Sequence, residues 1–530
     1  MRWVPPVESR DQLVLFPQKL DDSLPADHPV RQLDAILNQL DWSLWESKYK
    51  SWGAGRPPIH PRVMASILLY GILMRIRASR QLEDSLTMRL DFRWLAEGRS
   101  IDHTTLSEFR RKHHEQLQQV FVQVGLLAKA AGILKLEELA FDGTKIRANN
   151  SRSAKLKTDT LKTRRDELLR KYNEHVAAAE RLDAKPSSRD HDSDDPPSPT
   201  PPSKVLDKIK SSLQEVQRAL AEVDRLESSE EVVPKQLPTT DLECRVTPNK
   251  HGGFAPNYTP AAMVDTQSGL IVATQVIAGT NEKAMLPPAL DQVQEDFNAA
   301  PQRVLADGIF SHSTNLAELA ARGIELYSPV DVQADNPAIR EDPTQPVPAD
   351  QIENLPRKQT KGKKQFAKTA FVYDADQDVY FCPNGKRLKY RSTCVEKAVD
   401  GTQVKSRRYQ ASPSDCQACT LQQRCITAKR AKFRQVQHDQ FEPLRAQLQQ
   451  RMASSAGREI YARRMAPGER PFAVIKRLMG GCQFLTRGLQ NAKQEWRWLT
   501  LAFNLKFLMP RIGARAGPSP ATAACPLPES

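Results

Sequence analysis

Two short apolar runs, each ending at an aspartate followed by glycine, constrain the fold of this chain more than any other feature. The runs are Leu-Ala-Phe before Asp142 and Val-Leu-Ala before Asp307. A buried carboxylate is costly unless it is compensated, so an acid that ends a buried strand usually faces a cleft, a metal or a partner. Either aspartate alone is more often a turn or cap residue. We base the prediction of a shared site on their joint pattern.

The segments around Asp307 alternate between strand and helix patterns. From Thr247 the sequence has two apolar stretches joined at DTQSG, a hairpin signal, then NEKAMLPPALDQVQEDFN as a helix. A strand ending at Asp307, a helix and another strand follow. This order predicts an α/β domain with a partly parallel sheet. Parallel neighbours place their carboxyl ends together, so we expect Asp142 and Asp307 to meet at one edge of the sheet.

A third acid, Glu469, lies in the helical segment IYARRMAPGERPFAVIKRLMGG. Lys476 follows it by seven residues, about two helical turns, and therefore shares its face. Carboxylate oxygens suit Mg²⁺ or Mn²⁺, and two such ions can activate an attacking water or 3′-hydroxyl and stabilise the departing oxygen. The sequence predicts a two-metal phosphodiester site made of Asp142, Asp307 and Glu469.

Two further acids compete for these roles. Asp265 lies at the hairpin turn, where aspartate is common for backbone reasons. Glu282 follows Asn281 at a predicted helix start, where an acid interacts favourably with the helix dipole. We assign structural roles to both.

The N-terminal part, residues 1–135, is predicted to be helical and basic. Asp102 is a predicted N-cap, and the helix that it opens carries hydroxyl and cationic side chains in its first turns. Those assigned to DNA contact are Thr104, Thr105, Arg110 and Arg111. This arrangement is typical of a helix-turn-helix, although a solvated face of an ordinary helical bundle is the alternative. The net charge of +14 also favours a polyanionic partner, unless it serves only solubility.

The rest of the chain divides by composition. Apolar residues from Ile209 to Val223 recur at coiled-coil spacing and predict a helical hairpin with a Pro-rich, disordered tip at about 183–203. Residues 357–408 carry fourteen Lys and Arg against five acids. The predicted units are 1–135, helical DNA-binding domain; 136–150, first core strand; 151–240, helical hairpin; 241–330, catalytic core; 331–455, basic insertion; 456–511, Glu-bearing C-terminal helices; and 512–530, disordered tail.

The beginning of the chain has no secretory signal pattern, and no apolar run reaches the length of a membrane span. Eight cysteines are too few for a disulfide scaffold. We therefore expect a cytoplasmic, nucleoid-associated protein.

The motifs FDGTKIRANNS, VLADGIFS and Y-x-x-R-x-x-x-x-E-x-x-F-x-x-x-K together resemble the DDE transposases of bacterial insertion sequences. The stretch GRPPIHPRVMASILLYGILMRIRASRQLEDSLTMRLDFRWLAEG resembles the helical DNA-binding domain that precedes their catalytic domain. The resemblance implies a ribonuclease-H-like α/β core, a mixed sheet with flanking helices, after an all-α helix-turn-helix-like domain. It also implies two Mg²⁺ or Mn²⁺ ions held by Asp142, Asp307 and Glu469.

The same resemblance implies supporting residues and partners. Tyr461, Arg464 and Lys476 match the signature around Glu469, and the arginine and lysine would contact DNA phosphates. Four residues separate Arg464 from Glu469 where many relatives have three, which makes Arg463 and Arg464 hard to tell apart. The expected partners are transposon terminal inverted repeats and target DNA, bound by a homodimer. A catalytically inactive DNA-binding derivative and a metal-dependent nuclease without strand transfer are the alternative functions.

The basic insertion contains cysteines that can form a structural zinc site. A C-x-x-C pair with two further thiolates can hold zinc tetrahedrally, and the Pro-Asn-Gly turn after the first cysteine suits a zinc knuckle. The four candidate ligands are Cys382, Cys416, Cys419 and Cys425. Cys394 is a fifth candidate, and ordinary reduced cysteines are the alternative.

Overall fold

The computed structural model describes residues 19–49, 57–151, 154–183, 202–229, 232–249, 252–279, 281–329, 342–360, 363–397, 403–426, 428 and 430–513. Most of the predicted tip at 183–203 and the predicted tail from residue 514 onward lie outside these residues. The chain is a mixed α/β protein that begins with helices.

Seven helices form the N-terminal unit within the described residues. They are α1 (Pro29–Leu37), α2 (Ser43–Glu46), α3 (Pro61–Leu73), α4 (Ser79–Met88), α5 (Leu90–Leu95), α6 (His103–Arg111) and α7 (His114–Ala130). The predicted cap at Asp102 is confirmed, since its side chain accepts the Thr105 N–H at 2.8 Å. Gly71 allows α3 and α4 to approach closely, because a Cβ there would lie 2.5 Å from Leu82 Cδ2.

Two helical stretches of this unit, α4–α5 and α6–α7, are each divided in two by a break. The first breaks at Arg89, whose backbone is extended, and the buried Asp91 then accepts hydrogen bonds from Tyr70 and the Phe92 N–H. The second breaks at His113, which has a positive φ of 71° and packs against the Trp45 ring. Tertiary contacts of buried side chains therefore override the continuous amphipathic pattern at both breaks.

The central sheet contains the strand that ends near Asp142. Its strands are β1 (Glu138–Gly143), β2 (Ile146–Arg147), β5 (Arg245–Pro248), β6 (Phe254–Asp265), β7 (Ile271–Ile277), β8 (Arg303–Ala306) and β9 (Glu325–Tyr327). Strand β6 pairs antiparallel with β1 on one side and with β7 on the other, and β1, β8 and β9 are parallel neighbours. The predicted α/β pattern, including the hairpin at DTQSG, is confirmed.

Helices surround this sheet. They include α10 (Leu286–Phe297), α11 (Ser313–Ala321), α14 (Glu442–Ala453), α15 (Ser455–Ala462), α16 (Met465–Arg477) and α17 (Leu489–Gly513). Helix α17 packs against β7 and also against α3 and α7, so the N-terminal helices and the sheet share one core. The Trp496 indole N–H donates to the Ala261 carbonyl at 3.1 Å, and its ring stacks on Phe472 of α16.

The predicted hairpin forms α8 (Leu161–Asp183) and α9 (Pro202–Ser228), which extend from a ribbon of β3 (Lys155–Lys157) paired with β4 (Gln236–Pro238). The described part of the basic insertion has secondary structure of its own. It contains a ribbon of β10 (Arg357–Thr360) and β11 (Lys363–Phe366), then a five-stranded antiparallel sheet. The sheet strands and associated helices are β12 (Val372–Asp374), β13 (Val379–Phe381), β14 (Arg387–Lys397), β15 (Gln403–Ala411), α12 (Pro413–Gln417), α13 (Gln422–Cys425) and β16 (Gln435–Asp439).

Candidate catalytic site

Asp142 lies near the end of the central strand β1, and the Gly143 N–H donates to its Oδ1 at 2.9 Å. Its pKa rises from 3.8 to about 6, chiefly because burial disfavours the charged carboxylate. The negative charges of Asp307 and Glu469 raise the pKa further, while the Arg464 guanidinium opposes the rise. Three acids distant in sequence therefore interact in one cluster.

Asp307 directly follows β8, which is parallel to β1 with Phe141 opposite Ala306. This register places Asp142 and Asp307 one residue beyond the same rung, at the carboxyl edge of both strands. The Gly308 N–H donates to Asp307 Oδ1 at 2.6 Å, and the side chain is otherwise open to solvent. The two strand-end acids meet as their sequence pattern predicts, whereas their roles as metal ligands stay a prediction.

Helix α16 presents Glu469 to this edge of the sheet. Its Gly468 faces Asp142 so closely that a Cβ at residue 468 would lie 4.0 Å from Asp142 Oδ2. Arg464 Nη2 lies 3.3 Å from Asp142 Oδ1, whereas Arg463 Nη1 lies 3.5 Å from the Glu138 carboxylate. The structure thus distinguishes the two arginines: Arg464 is the one beside the acid cluster.

Tyr461 and Lys476 lie beside the same cluster. The Tyr461 hydroxyl accepts a hydrogen bond from Arg464 Nη1 at 3.5 Å, and burial raises its pKa, with the charges of Asp307 and Asp142 adding to the rise. The Lys476 ammonium donates to the Thr144 hydroxyl, two residues after Asp142. All three signature residues therefore surround the end of β1.

The donor chemistry of the cluster fits a hard divalent cation, because carboxylate oxygens are the ligands such ions prefer. Among the residues that the structure describes, however, no three His, Cys, Asp or Glu side chains lie close enough to form a ligand group. The negatively charged acids repel one another, and Asp142 forms an ion pair with Arg464. Shared coordination would therefore require rotations of these side chains.

Glu282, to which the sequence analysis gave only a helix-start role, also lies at this edge. Its Oε2 would be only 3.2 Å from a Cβ added at Gly143, the residue after Asp142. Burial and the charge of Asp307 raise the pKa of Glu282, and Lys145 lowers it. No sequence signal separates this acid from an ordinary helix-start glutamate, because its position depends on how the chain returns beside β1. Asp265, by contrast, is buried at the hairpin turn and accepts hydrogen bonds from Leu136 N and Ser268 N.

The four candidate DNA contacts of α6 have different surroundings. Thr104 and Arg111 are exposed. The Thr105 hydroxyl donates to Asp102 at 2.6 Å, within the cap. Arg110 faces inward, where its guanidinium donates to the Arg77 carbonyl at 2.6 Å and burial lowers its pKa. This placement favours a structural role for Arg110.

A buried ion pair connects the N-terminal helices to the segment after α16. The Arg77 guanidinium contacts the Glu495 carboxylate of α17, and also donates to the Gln483 carbonyl at 3.1 Å. Glu495 accepts the backbone N–H groups of Leu485 and Thr486 at 2.9 Å. The loop that ends the Glu469 helix is therefore held from two sides.

The four candidate zinc ligands, Cys382, Cys416, Cys419 and Cys425, line one pocket in the five-stranded sheet unit. Backbone N–H groups of Lys386 and Leu421 donate to the sulfurs of Cys382 and Cys419, each at 3.4 Å. The described cysteines form no disulfide, and the sulfurs form no ligand group at metal-binding distances. Cys394 lies elsewhere, on β14 beside the Ser406 carbonyl.

Within the described part of the chain, no helix combines the length and apolarity needed to cross a membrane.

Comparison with known families agrees with this geometry. Residues 381–509 match a family model described as a transposase DDE domain, and residues 18–112 match one described as a transposase domain (DUF772). The first match contains Glu469 and the four pocket cysteines, and the second covers helices α1–α6. No curated protein matches the chain.

Both families that match the chain are transposases. The two matches, in this order along the chain, together indicate an insertion-sequence DDE transposase.

Proposed function

We propose that this protein binds the terminal inverted repeats of an insertion sequence and catalyses metal-dependent strand cleavage followed by 3′-hydroxyl strand transfer. The single observation that carries the proposal is the cluster formed by Asp142, Asp307 and Glu469, which interact although more than 160 residues separate each from the next. The strand order β7-β6-β1-β8-β9, with three parallel strands and an antiparallel hairpin, supports a ribonuclease-H-like core.

Asp142, Asp307 and Glu469 would hold two Mg²⁺ or Mn²⁺ ions. Such ions activate the attacking oxygen and stabilise the departing oxygen of an in-line displacement. Arg464 and Lys476 add positive charge beside the acids, where a phosphodiester would lie. Hydrolysis and strand transfer differ only in the attacking hydroxyl, so one site can perform both steps in turn.

The test is Asp307→Asn in a cleavage assay with Mg²⁺ and a transposon-end duplex. Asp307 is exposed and its Oδ1 accepts only the adjacent Gly308 N–H, so the amide is expected to preserve the fold while removing a charged ligand. Cleavage should be lost and end binding retained. The matched control is Asp376→Asn, an exposed aspartate in the turn between β12 and β13. Cleavage by the Asp307 variant at the wild-type rate would refute the site.

A second assay separates the alternatives. Wild-type protein is given a 3′-hydroxyl end oligonucleotide and a plasmid target. Joined products support a transposase, cleavage without joining supports a nuclease, and binding without either supports an inactive derivative.

DNA binding is proposed for two regions. The N-terminal helices would contact the terminal repeats through Thr104, Thr105 and Arg111, and the basic sheet unit would contact phosphates. Residues 386–391 of that unit carry four exposed cations and no acid. Such contacts predict affinity that falls steeply with salt. Two ends must meet, so we propose a homodimer on DNA, with the α8–α9 hairpin as a candidate contact.

We also propose that the four pocket cysteines hold a structural Zn²⁺. Backbone N–H donation to sulfur stabilises thiolates, as supporting groups around a metal do. The nearby Arg434 guanidinium interacts with Cys416 and Cys425 and would offset their negative charge. A bound ion would bring the four sulfurs to coordination distance and would crosslink the segments of the five-stranded sheet unit that carry them.

Zinc content measured after purification without added metal tests this assignment. Cys419→Ser should lower the zinc-to-protein ratio and the melting temperature, whereas Cys394→Ser, outside the pocket, should change neither. Wild-type protein without zinc that also fails to bind it on titration would refute the assignment.

A further inference from the structure

Glu282 begins a short helical turn, Glu282–Met285, which faces the turn that follows Asp307. The buried Asn315 side chain connects these turns by donating to the Lys283 carbonyl at 2.9 Å and to the Phe310 carbonyl at 3.1 Å. The two hydrogen bonds of Asn315 therefore hold the turn that carries Glu282 beside the turn that follows Asp307.

The Glu282 carboxylate reaches across this junction to the end of β1. A Cβ at Gly143 would lie 3.2 Å from Glu282 Oε2, so only glycine leaves the carboxylate its full room there. The acid thus contacts the residue adjacent to Asp142 while its own turn is anchored beside Asp307.

The surroundings of Glu282 supply little compensation for its charge. The side chain is partly buried and makes neither a hydrogen bond nor an ion pair with any residue that the structure describes, and Lys145 is a cation in electrostatic range. A partly buried carboxylate next to another acid is unfavourable unless a cation joins them. A favourable interaction with the helix dipole does not by itself explain why the Glu282 carboxylate lies near Asp307 and β1.

We propose that Glu282 is a fourth carboxylate of the metal site, supplying an oxygen ligand to a divalent cation that it shares with Asp307. This inference rests on the proposed function and adds a ligand to it. It assigns the turn that precedes α10, and not only β1, β8 and α16, to the catalytic centre.

The test measures Mn²⁺ binding by isothermal titration to the full-length protein without DNA. Glu282→Gln is compared with wild type, with Asp307→Asn, and with Glu295→Gln, an exposed glutamate of α10 outside the cluster. Loss of a direct ligand should weaken the binding of at least one ion by about tenfold or more, at least as much as the loss of a supporting residue around a metal. Glu295→Gln should bind as wild type does.

The outcomes separate this inference from the proposed function. Weakened binding in both Glu282→Gln and Asp307→Asn supports the fourth ligand. Weakened binding in Asp307→Asn alone overturns it and leaves the three-acid site intact. Unchanged binding in both variants overturns the three-acid site as well.

A second measurement does not depend on affinity. Fe²⁺ is bound in place of Mn²⁺ and treated with ascorbate and peroxide, which cut the backbone near the ion. Wild-type fragments ending near residues 142, 282 and 307 are expected. Absence of the 282 cut in wild type, with cuts at 142 and 307 present, would overturn the inference.

Discussion

Asp142→Asn is expected to stabilise the metal-free protein while abolishing its activity. Asp142 has a pKa of about 6 in the folded protein against an ordinary value of 3.8, and its side chain is only 18% exposed. The difference of roughly two pKa units corresponds to about 3 kcal/mol at 1.36 kcal/mol per unit. This shift already includes the attraction of Arg464. The free energy of unfolding of the neutral Asp142→Asn variant should therefore exceed that of the wild type by this net amount.

The sign of the pH dependence follows from the raised pKa. Below the unfolded value both states are protonated, and aspartate and asparagine should give equal stability. Between the two pKa values the carboxyl group ionises in the unfolded state but stays protonated in the folded state, which destabilises the wild type. The advantage of the variant should therefore be about 1 kcal/mol at pH 4.5 and should reach its full value of about 3 kcal/mol above the folded pKa, at pH 8.

Urea unfolding in EDTA at these two pH values measures the difference. Asp376→Asn provides the baseline for removal of an exposed acid, and Mg²⁺ should then stabilise the wild type more than Asp142→Asn. A variant no more stable than wild type at pH 8 in EDTA would refute the burial and charge clustering on which the site depends.

The remaining predictions concern the N-terminal helices and their contact with α17. Glu495→Ala should lower the free energy of unfolding by about 3–5 kcal/mol, because it leaves the buried Arg77 charge unpaired. A decrease in the free energy of unfolding of less than about 1 kcal/mol, measured by urea unfolding, would contradict this. Arg111→Ala should reduce the salt dependence of end binding by about one unit of log-log slope, as expected for one phosphate contact. Arg110→Ala, by contrast, should lower the melting temperature, because the Arg110 guanidinium faces the protein interior and donates to the Arg77 carbonyl. If Arg110→Ala changed only the salt dependence of end binding, Arg110 would be a DNA contact instead.

Local patterns were sufficient to predict several elements of this protein. The apolar runs before Asp142 and Asp307 predicted two strands and their terminal acids, because a strand's burial and its end are local properties of the sequence. The cap at Asp102 and the hairpin at DTQSG were predictable for the same reason. The same local signals could not predict the breaks at Arg89 and His113, which result from contacts with Tyr70 and Trp45.

The sequence by itself identified the candidate site residues: three acids in strand-end and helical contexts, with Arg464 or Arg463 and Lys476 nearby. Only the tertiary structure decided which side chains meet. It paired Arg464 with Asp142 and Arg463 with Glu138, turned Arg110 inward, and brought Glu282 against Gly143. These outcomes depend on the register of β1 with β8 and on the packing of α16 across the sheet, and such long-range contacts have no local signature in the chain.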